Sequence, residues 1–171
     1  MQVRSARAED AHAIGQIRIA AWRAAYAAIM GAHYLASLDA TQGMEALAAK
    51  LQSPTPSWRA WVCESNGALQ GFVIVGEPRY KARLGTLELW ALNVHPHHWR
   101  LGAGRQLVRV ALQEAQSQGR RRLELWCIDA NVRAASLYES AGLVRTGEMR
   151  TNAGFGGHRL TEVAYERAFK N

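Results

Sequence analysis

Two glycines, Gly102 and Gly104, follow the apolar run Thr86 to Val94 and the turn His95-Pro96, and they directly precede an amphipathic stretch that includes Leu107, Val108, Ala111, Leu112 and Ala115. A strand that ends at a proline and turns through glycines into a helix makes an anion site. The glycines carry no Cβ to block close approach, the first helical N–H groups have no intrahelical partner, and the helix dipole favours negative charge at that end. The chemistry implied is the holding of a phosphate-bearing molecule. A dinucleotide fingerprint would need a third glycine where this chain has Leu107, and a P-loop would need Gly-Lys-Ser or Gly-Lys-Thr, which is missing, so both nucleotide readings weaken.

Charge points the same way. The 171 residues include 21 Lys and Arg against 14 Asp and Glu, a formal net charge of +7. Arg100, Arg105, Arg109 and the run Arg120-Arg121-Arg122 gather around the glycine turn. An anionic small molecule and a nucleic acid both fit such a balance, and solvated surface arginines are the plainer explanation of the triple run. No nucleic-acid motif is present, so nucleic acid ranks last. His95, His97 and His98 straddle a proline turn with no Cys or carboxylate at ligand spacing, which argues for exposed turn residues and no metal. Cys63 and Cys127 lie inside strand-like runs and read as core thiols. No apolar run has the length of a membrane span and the first residues lack a signal-peptide core, so a cytoplasmic protein without membrane contact is expected.

The elements that must position the turn can be read in order. Val3 to Arg7 suits a short strand. Ile14, Ile17 and Ala21 mark one helical face that Trp22 and Tyr26 continue, and Met44, Leu47, Ala48 and Leu51 mark a second helix before the breaker Ser53 to Ser57. Asn66-Gly67 between two β-rich runs, Trp58 to Ser65 and Ala68 to Val75, is a hairpin signal. After the strand Thr86 to Val94 come a helix from about Gly102 to Gln118 closed by Gly119, a strand Leu123 to Ile128, a helix Asn131 to Ala141 closed by Gly142, and strands near Val144 to Met149 and His158 to Phe169, joined by a mobile loop Gly154 to Gly157. One domain spanning 1–171 is expected.

Two segments carry a family resemblance. Trp99 to Gly104 resembles the coenzyme A loop R/Q-x-x-G-x-G/A of the GNAT superfamily of acyl-CoA-dependent N-acyltransferases, with Trp99 in place of Arg or Gln and Arg100 keeping a cation nearby. Asn131 to Leu143 resembles that family's second motif, N-x-x-A-x-x-x-Y-x-x-x-G-F, with Leu143 for Phe. The opening Val3 to Tyr26 and the closing Gly142 to Phe169 also resemble the family, so the likeness covers essentially the whole chain.

The resemblance implies an α/β (α+β) fold: a mixed, strongly twisted central sheet of about seven strands flanked by about four helices. The strands Thr86 to Val94 and Leu123 to Ile128 would be parallel neighbours that splay apart at their carboxyl ends, where ligands of α/β sheets bind. It implies an N-acetyltransferase moving acetyl from acetyl-CoA to a primary amine by direct attack in a ternary complex, the acceptor being a small molecule or, alternatively, a protein N-terminus, with a homodimer as the family's habit. A non-catalytic acyl-CoA-binding module is the second class. Trp99, Arg100 and Leu101 lead into the loop, and Gly102, Ala103, Gly104, Arg105 and Gln106 would hold the pyrophosphate. The backbone of Leu92 and Val94 would pair with the pantetheine, and the Val94 amide would polarise the carbonyl. Asn131 would bond the pantetheine arm or cap its helix, or both. Tyr138 would protonate the leaving thiolate, against the alternative of a core tyrosine.

Glu88 is the expected base. In a regular strand it would share a face with Trp90, Leu92 and Val94, an isolated carboxylate whose pKa apolar neighbours push up; a wet strand face is the alternative. Glu162 and a water chain stand behind it. Trp22, Tyr26, His33 and Tyr34 fall where the family builds its acceptor wall, with core packing as the alternative, and Trp90 is a further aromatic on the strand that carries Glu88.

Overall fold

The structure is a computed structural model that describes residues 1–170, the side chain of Phe155 excepted. Seven strands form one sheet: β1 (Gln2–Ser5), β2 (Trp58–Ser65), β3 (Ala68–Gly76), β4 (Thr86–Val94), β5 (Arg122–Ile128), β6 (Val144–Phe155) and β7 (His158–Ala168). They lie in the order β1-β2-β3-β4-β5-β7-β6. Every neighbouring pair is antiparallel except β4 and β5. Parallel neighbours need a crossover, and α4 (Ala103–Ser117) supplies it.

Helices cover both faces. α1 (Ala11–Tyr26) and α3 (Met44–Gln52) pack on one side through Ile14, Ile17 and Leu51 against Val62 and Phe72. α4 and α5 (Val132–Ser140) pack on the other through Leu107, Val108, Ala111 and Tyr138 against Val73, Leu89 and Leu125. A fifth, short helix α2 (Ala32–Ser37) buries Leu35 beside Tyr26, Met30, Ile128 and Leu160. The count is therefore five helices where about four were expected. α2 makes less than two turns and leaves only one buried side chain, too little periodicity to read in advance.

Local chemistry explains most boundaries. Asn66 and Gly67 both have positive φ, 52° and 75°, the geometry of a two-residue I′ hairpin. α5 ends in a Schellman motif: the Leu143 amide donates to the Tyr138 carbonyl and the Gly142 amide to that of Glu139, with Gly142 at φ 79°. Leu143 is thereby buried beside Tyr138. The stretch 154–157, expected as a loop, is mostly strand and turn. β6 continues to Phe155, which pairs with His158, and Gly156-Gly157 make a tight turn.

β4 departs from regularity. Ile74 pairs with Ala91 but Val75 pairs with Leu89, so Trp90 is an extra residue, a β-bulge. It divides the faces differently from the alternation expected. Leu87, Leu89, Leu92 and Val94 face α4, while Trp90 and Ala91 face α1 and α3. Glu88 falls on the α1 face and not with Leu92 and Val94, which corrects the regular-strand reading.

Candidate active site

β4 and β5 are paired over four positions, from Thr86↔Arg122 to Leu89↔Leu125, and then diverge. The gap between their carboxyl ends opens into a cleft of about 850 Å³ that runs through the sheet. α4 and α5 wall one side; the end of α1 and the β3–β4 loop wall the other.

Backbone groups of β4 line the gap. The His95 amide donates to the Gln70 carbonyl at 2.8 Å, so by strand alternation the peptide groups of Val94 and Leu92 point the other way, towards the diverging β5. The Trp99 indole donates to the Val94 carbonyl at 2.7 Å. What Val94 offers the gap is accordingly its N–H.

The turn into α4 has the geometry of an anion cradle. Gly102 sits at φ 95°, with open space where a Cβ would be, and Arg100 at φ 63° turns the chain before it. The Gln106 amide closes the first helical turn onto the Gly102 carbonyl, leaving the N–H groups of the preceding turn directed outward. Arg100, Gly102, Gly104 and Arg105 line the cleft; Leu101, Ala103 and Gln106 do not, and the Gln106 side chain turns instead to the Met1 sulfur. A Cβ on Gly104 would meet Leu137 of α5 at 3.0 Å, so that glycine serves helix packing as well as ligand approach.

Trp99 shows what replaces the family's cation. Its ring carries the Arg133 guanidinium at 3.7 Å, a cation–π contact that brings a charge from the first turn of α5 to the mouth of the cleft. Sequence reasoning left Arg133 as a spacer in a motif, and no local pattern announces a stack formed 34 residues apart.

Asn131 caps α5, its Oδ1 accepting from the Ala134 amide at 3.1 Å, while its Nδ2 donates to the Tyr26 hydroxyl at 3.0 Å. Both residues line the cleft. Tyr138 lies 6 % exposed in the same wall, and its hydroxyl makes no hydrogen bond among the described residues. Burial pushes its pKa well above that of a free phenol, so the proton stays on the oxygen at neutral pH. Cys127, facing the same space, is pushed up to about 12, by burial first and then by the charges of Glu162 and Asp129.

The carboxylates are arranged otherwise than expected. Glu88 is 2 % exposed and does not line the cleft. It is not isolated: Oε2 accepts from the Arg79 amide at 2.7 Å, and Oε1 from Arg79 Nε and a terminal nitrogen at 3.0 and 2.5 Å. Both oxygens are committed to anchoring the β3–β4 loop. Glu162 does line the cleft; its Oε2 accepts from Arg150 Nε at 2.7 Å and Asn152 Nδ2 at 3.3 Å, and neither donor goes to Oε1.

Aromatic side chains crowd the α1 side of the cleft: Trp22, Tyr26, Tyr80, Trp90 and Trp126. Trp22 and Tyr26 take the wall position expected of them; His33 and Tyr34 do not line it, and His158 tilts against Tyr34 at 6.0 Å. His98 reaches the cleft and His97 is exposed. Among the described residues no three His, Cys, Asp or Glu side chains converge as a metal site, and no helix is long and apolar enough to cross a membrane.

Comparison with known proteins gives the lineage of the fold. The family model described as "Acetyltransferase (GNAT) family" matches residues 12–143. The chain is 37% identical over 91 residues, 52% of its length, to N-acetyltransferase family 8 member 3 of Rattus norvegicus, and 34% identical over 91 residues to human N-acetyltransferase 8. It spans about two-fifths of the length of these curated relatives, 39% in each case. Among solved structures, PaiA N-acetyltransferase of Thermoplasma acidophilum in complex with coenzyme A superposes with a TM-score of 0.74 at 17% identity, covering 98% of both chains. The putative acetyltransferase yncA of Salmonella typhimurium with acetyl-CoA gives 0.73 at 21% identity, covering 99% of this chain and 94% of that one. These likenesses fix the fold, and the matched family model fixes the lineage: the chain belongs to the acetyltransferase (GNAT) family.

Proposed function

We propose that this protein transfers the acetyl group of acetyl-CoA to the amine of a small molecule, by direct attack while both substrates are bound. The observation that carries this is the gap between β4 and β5, which joins an anion cradle at the start of α4 to a buried phenol and a cleft-lining carboxylate on the far side. The N-acetyltransferase solved with coenzyme A and the putative acetyltransferase solved with acetyl-CoA share the fold.

The roles follow from position. The N–H groups opening α4, with Arg100, Arg105 and the stacked Arg133, hold the pyrophosphate. Leu92 and the Val94 N–H meet the pantetheine arm, and the Val94 N–H stabilises the oxygen that becomes negative as the amine attacks. Glu162, which lines the cleft and whose Oε1 carries neither Arg150 nor Asn152, takes the amine proton; Glu88 holds Arg79 and its loop in place. Tyr138 protonates the departing thiolate. Its high pKa is no obstacle, because the burial that lifts the phenol also lifts a thiolate in the same space, as Cys127 illustrates.

The enclosing aromatic wall favours a small acceptor over a protein N-terminus. The experiment is thermal melting with acetyl-CoA, followed by coenzyme A release across an amine panel. Ligand at a hundred times its Kd adds roughly 2.7 kcal/mol, a rise of several degrees for a chain of this size. No shift at millimolar acetyl-CoA overturns the proposal, and a shift without turnover of any amine reduces the protein to a binding module.

A further inference from the structure

Arg150 on β6 is placed in the cleft wall in an unusual way. Its guanidinium lies between two rings, 3.9 Å from the centre of Tyr80 and 4.1 Å from that of Trp126. Nε donates to Glu162, yet the buried Nη1 has no hydrogen-bond partner in the protein. A buried charged donor left unpaired is costly, and in a cleft wall it points to a ligand group that completes it. Planar, forked and always charged, guanidinium matches a carboxylate.

The other arginine of this wall, Arg79, is already paired with a carboxylate of the protein. Arg79 gives its backbone amide, Nε and a terminal nitrogen to Glu88. Beside Arg150 stands the opposite charge: Glu162, whose Oε2 takes both Arg150 and Asn152. The wall thus presents a donor wanting an acceptor next to a carboxylate oxygen that neither of those donors claims. A molecule bearing an amine and a carboxylate on one carbon is complementary to that pair, and Trp22 and Trp90 continue the same wall as an apolar surface.

We propose that the acceptor is an α-amino acid with an aromatic or bulky apolar side chain, its carboxylate held by Arg150 Nη1 and its amine presented to Glu162. This rests on the acetyltransferase reading. In the step, the neutral amine nitrogen forms a bond to the acetyl carbon as the carbon–sulfur bond breaks, the nitrogen's proton passes to Glu162, the thiolate takes the Tyr138 proton, solvent returns the proton from Glu162 to the Tyr138 oxygen, and the products are an N-acetyl amino acid and coenzyme A.

The test uses pairs that differ only in the carboxylate: phenylalanine against phenethylamine and phenylalaninamide, tryptophan against tryptamine. Binding to coenzyme A-saturated protein is followed by shift in melting temperature, and turnover by coenzyme A release from acetyl-CoA. The acids should be favoured about tenfold or more in Kd and in kcat/KM, the scale of one charge-assisted fork. The ratio within each pair is the readout, since any effect on the base cancels in it. Arg150→Gln should bring that ratio to about one, and Arg150→Lys, which keeps charge without the fork, should restore part of it. The wild-type pairs decide the matter even if a variant fails to fold. Equal treatment of acid and amine, or binding of neither, overturns the proposal; if carboxylate-free amines are still acetylated, the acetyltransferase reading stands, whereas absence of an acetyl-CoA melting shift overturns that reading instead.

Discussion

Replacing Tyr138 by Phe separates chemistry from folding in one atom. Tyr138 is buried as a residue but lines the cleft, and its hydroxyl makes no hydrogen bond among the described residues, so its removal strands no partner, while the ring keeps its packing beside Leu143 and Tyr165. Stability should change by less than about 0.5 kcal/mol, under about 2 °C in Tm for a chain of this length. If the hydroxyl is the acid, kcat should fall by roughly 10² to 10⁴, equivalent to about 2.7 to 5.4 kcal/mol of lost barrier reduction. Tyr26→Phe is the control: it removes a hydroxyl that accepts from Asn131 at 3.0 Å and leaves a part-buried amide unpaired, so it should cost about 1 to 3 kcal/mol of stability. The assay is single-turnover acetyl transfer under conditions where chemistry limits, alongside thermal melting. Unchanged single-turnover rate in Tyr138→Phe would refute the assignment and hand the proton to water. A drop of many degrees in Tm would show instead that the hydroxyl has a structural partner in the folded protein.

Glu162→Gln should lower kcat/KM by roughly 10² to 10⁴ with an acceptor of low pKa, whereas Glu88→Gln should chiefly lower Tm by loosening Arg79; equal kinetic effects would erase the distinction drawn between the two carboxylates. Cys127, its thiol pushed up to about 12, should be about 10⁻⁴ ionised at pH 8 and so alkylate far more slowly than a free thiol, with acetyl-CoA slowing it further; rapid labelling would contradict the burial. At Asp10, burial opposes ionisation, but hydrogen bonds from Arg4 and the Arg7 amide hold the carboxyl below its usual range. A depressed folded pKa gives stability that is complete above the unfolded value of about 3.9 and is lost as pH falls through the folded one. Asp10→Asn should therefore cost about 1.5 to 3 kcal/mol at pH 7, measured by urea unfolding, and the gap from wild type should close in acid.

What could be read ahead of the structure was local. Asn66-Gly67 dictates its turn by backbone preference, and the run from Asn131 to Gly142 carries its own cap at each end, so the helix bearing Tyr138 was legible residue by residue. The glycine turn before α4 was legible for the same reason. The bulge at Trp90 was not, because β4 is apolar on both faces and one inserted residue leaves no break in that pattern. Glu88 was misread as a consequence: its face followed from assumed regularity, and its partner Arg79 sits in a loop with no period to read. Arg150 and Glu162 meet only because β6 and β7 pair in a particular register, which a sequence with bulges on both sides of that point does not declare.

The four-pair contact between β4 and β5 has a mechanical meaning. A sheet fastened at its centre over so short a stretch behaves as two sheets sharing a seam: β1 to β4 on one side, β5 to β7 on the other. Besides those pairings, ion pairs lace the halves together, among them Arg83 of the β3–β4 loop with Glu166 of β7 and Glu77 of the same loop with Arg120. Surface pairs of this kind contribute little and weaken in salt, so what holds the halves together is the core they share under α4 and α5. A ligand threaded between the strands is a rivet across the seam. Amide exchange at the diverging ends of β4 and β5 should slow on loading far more than exchange in the cores of either half.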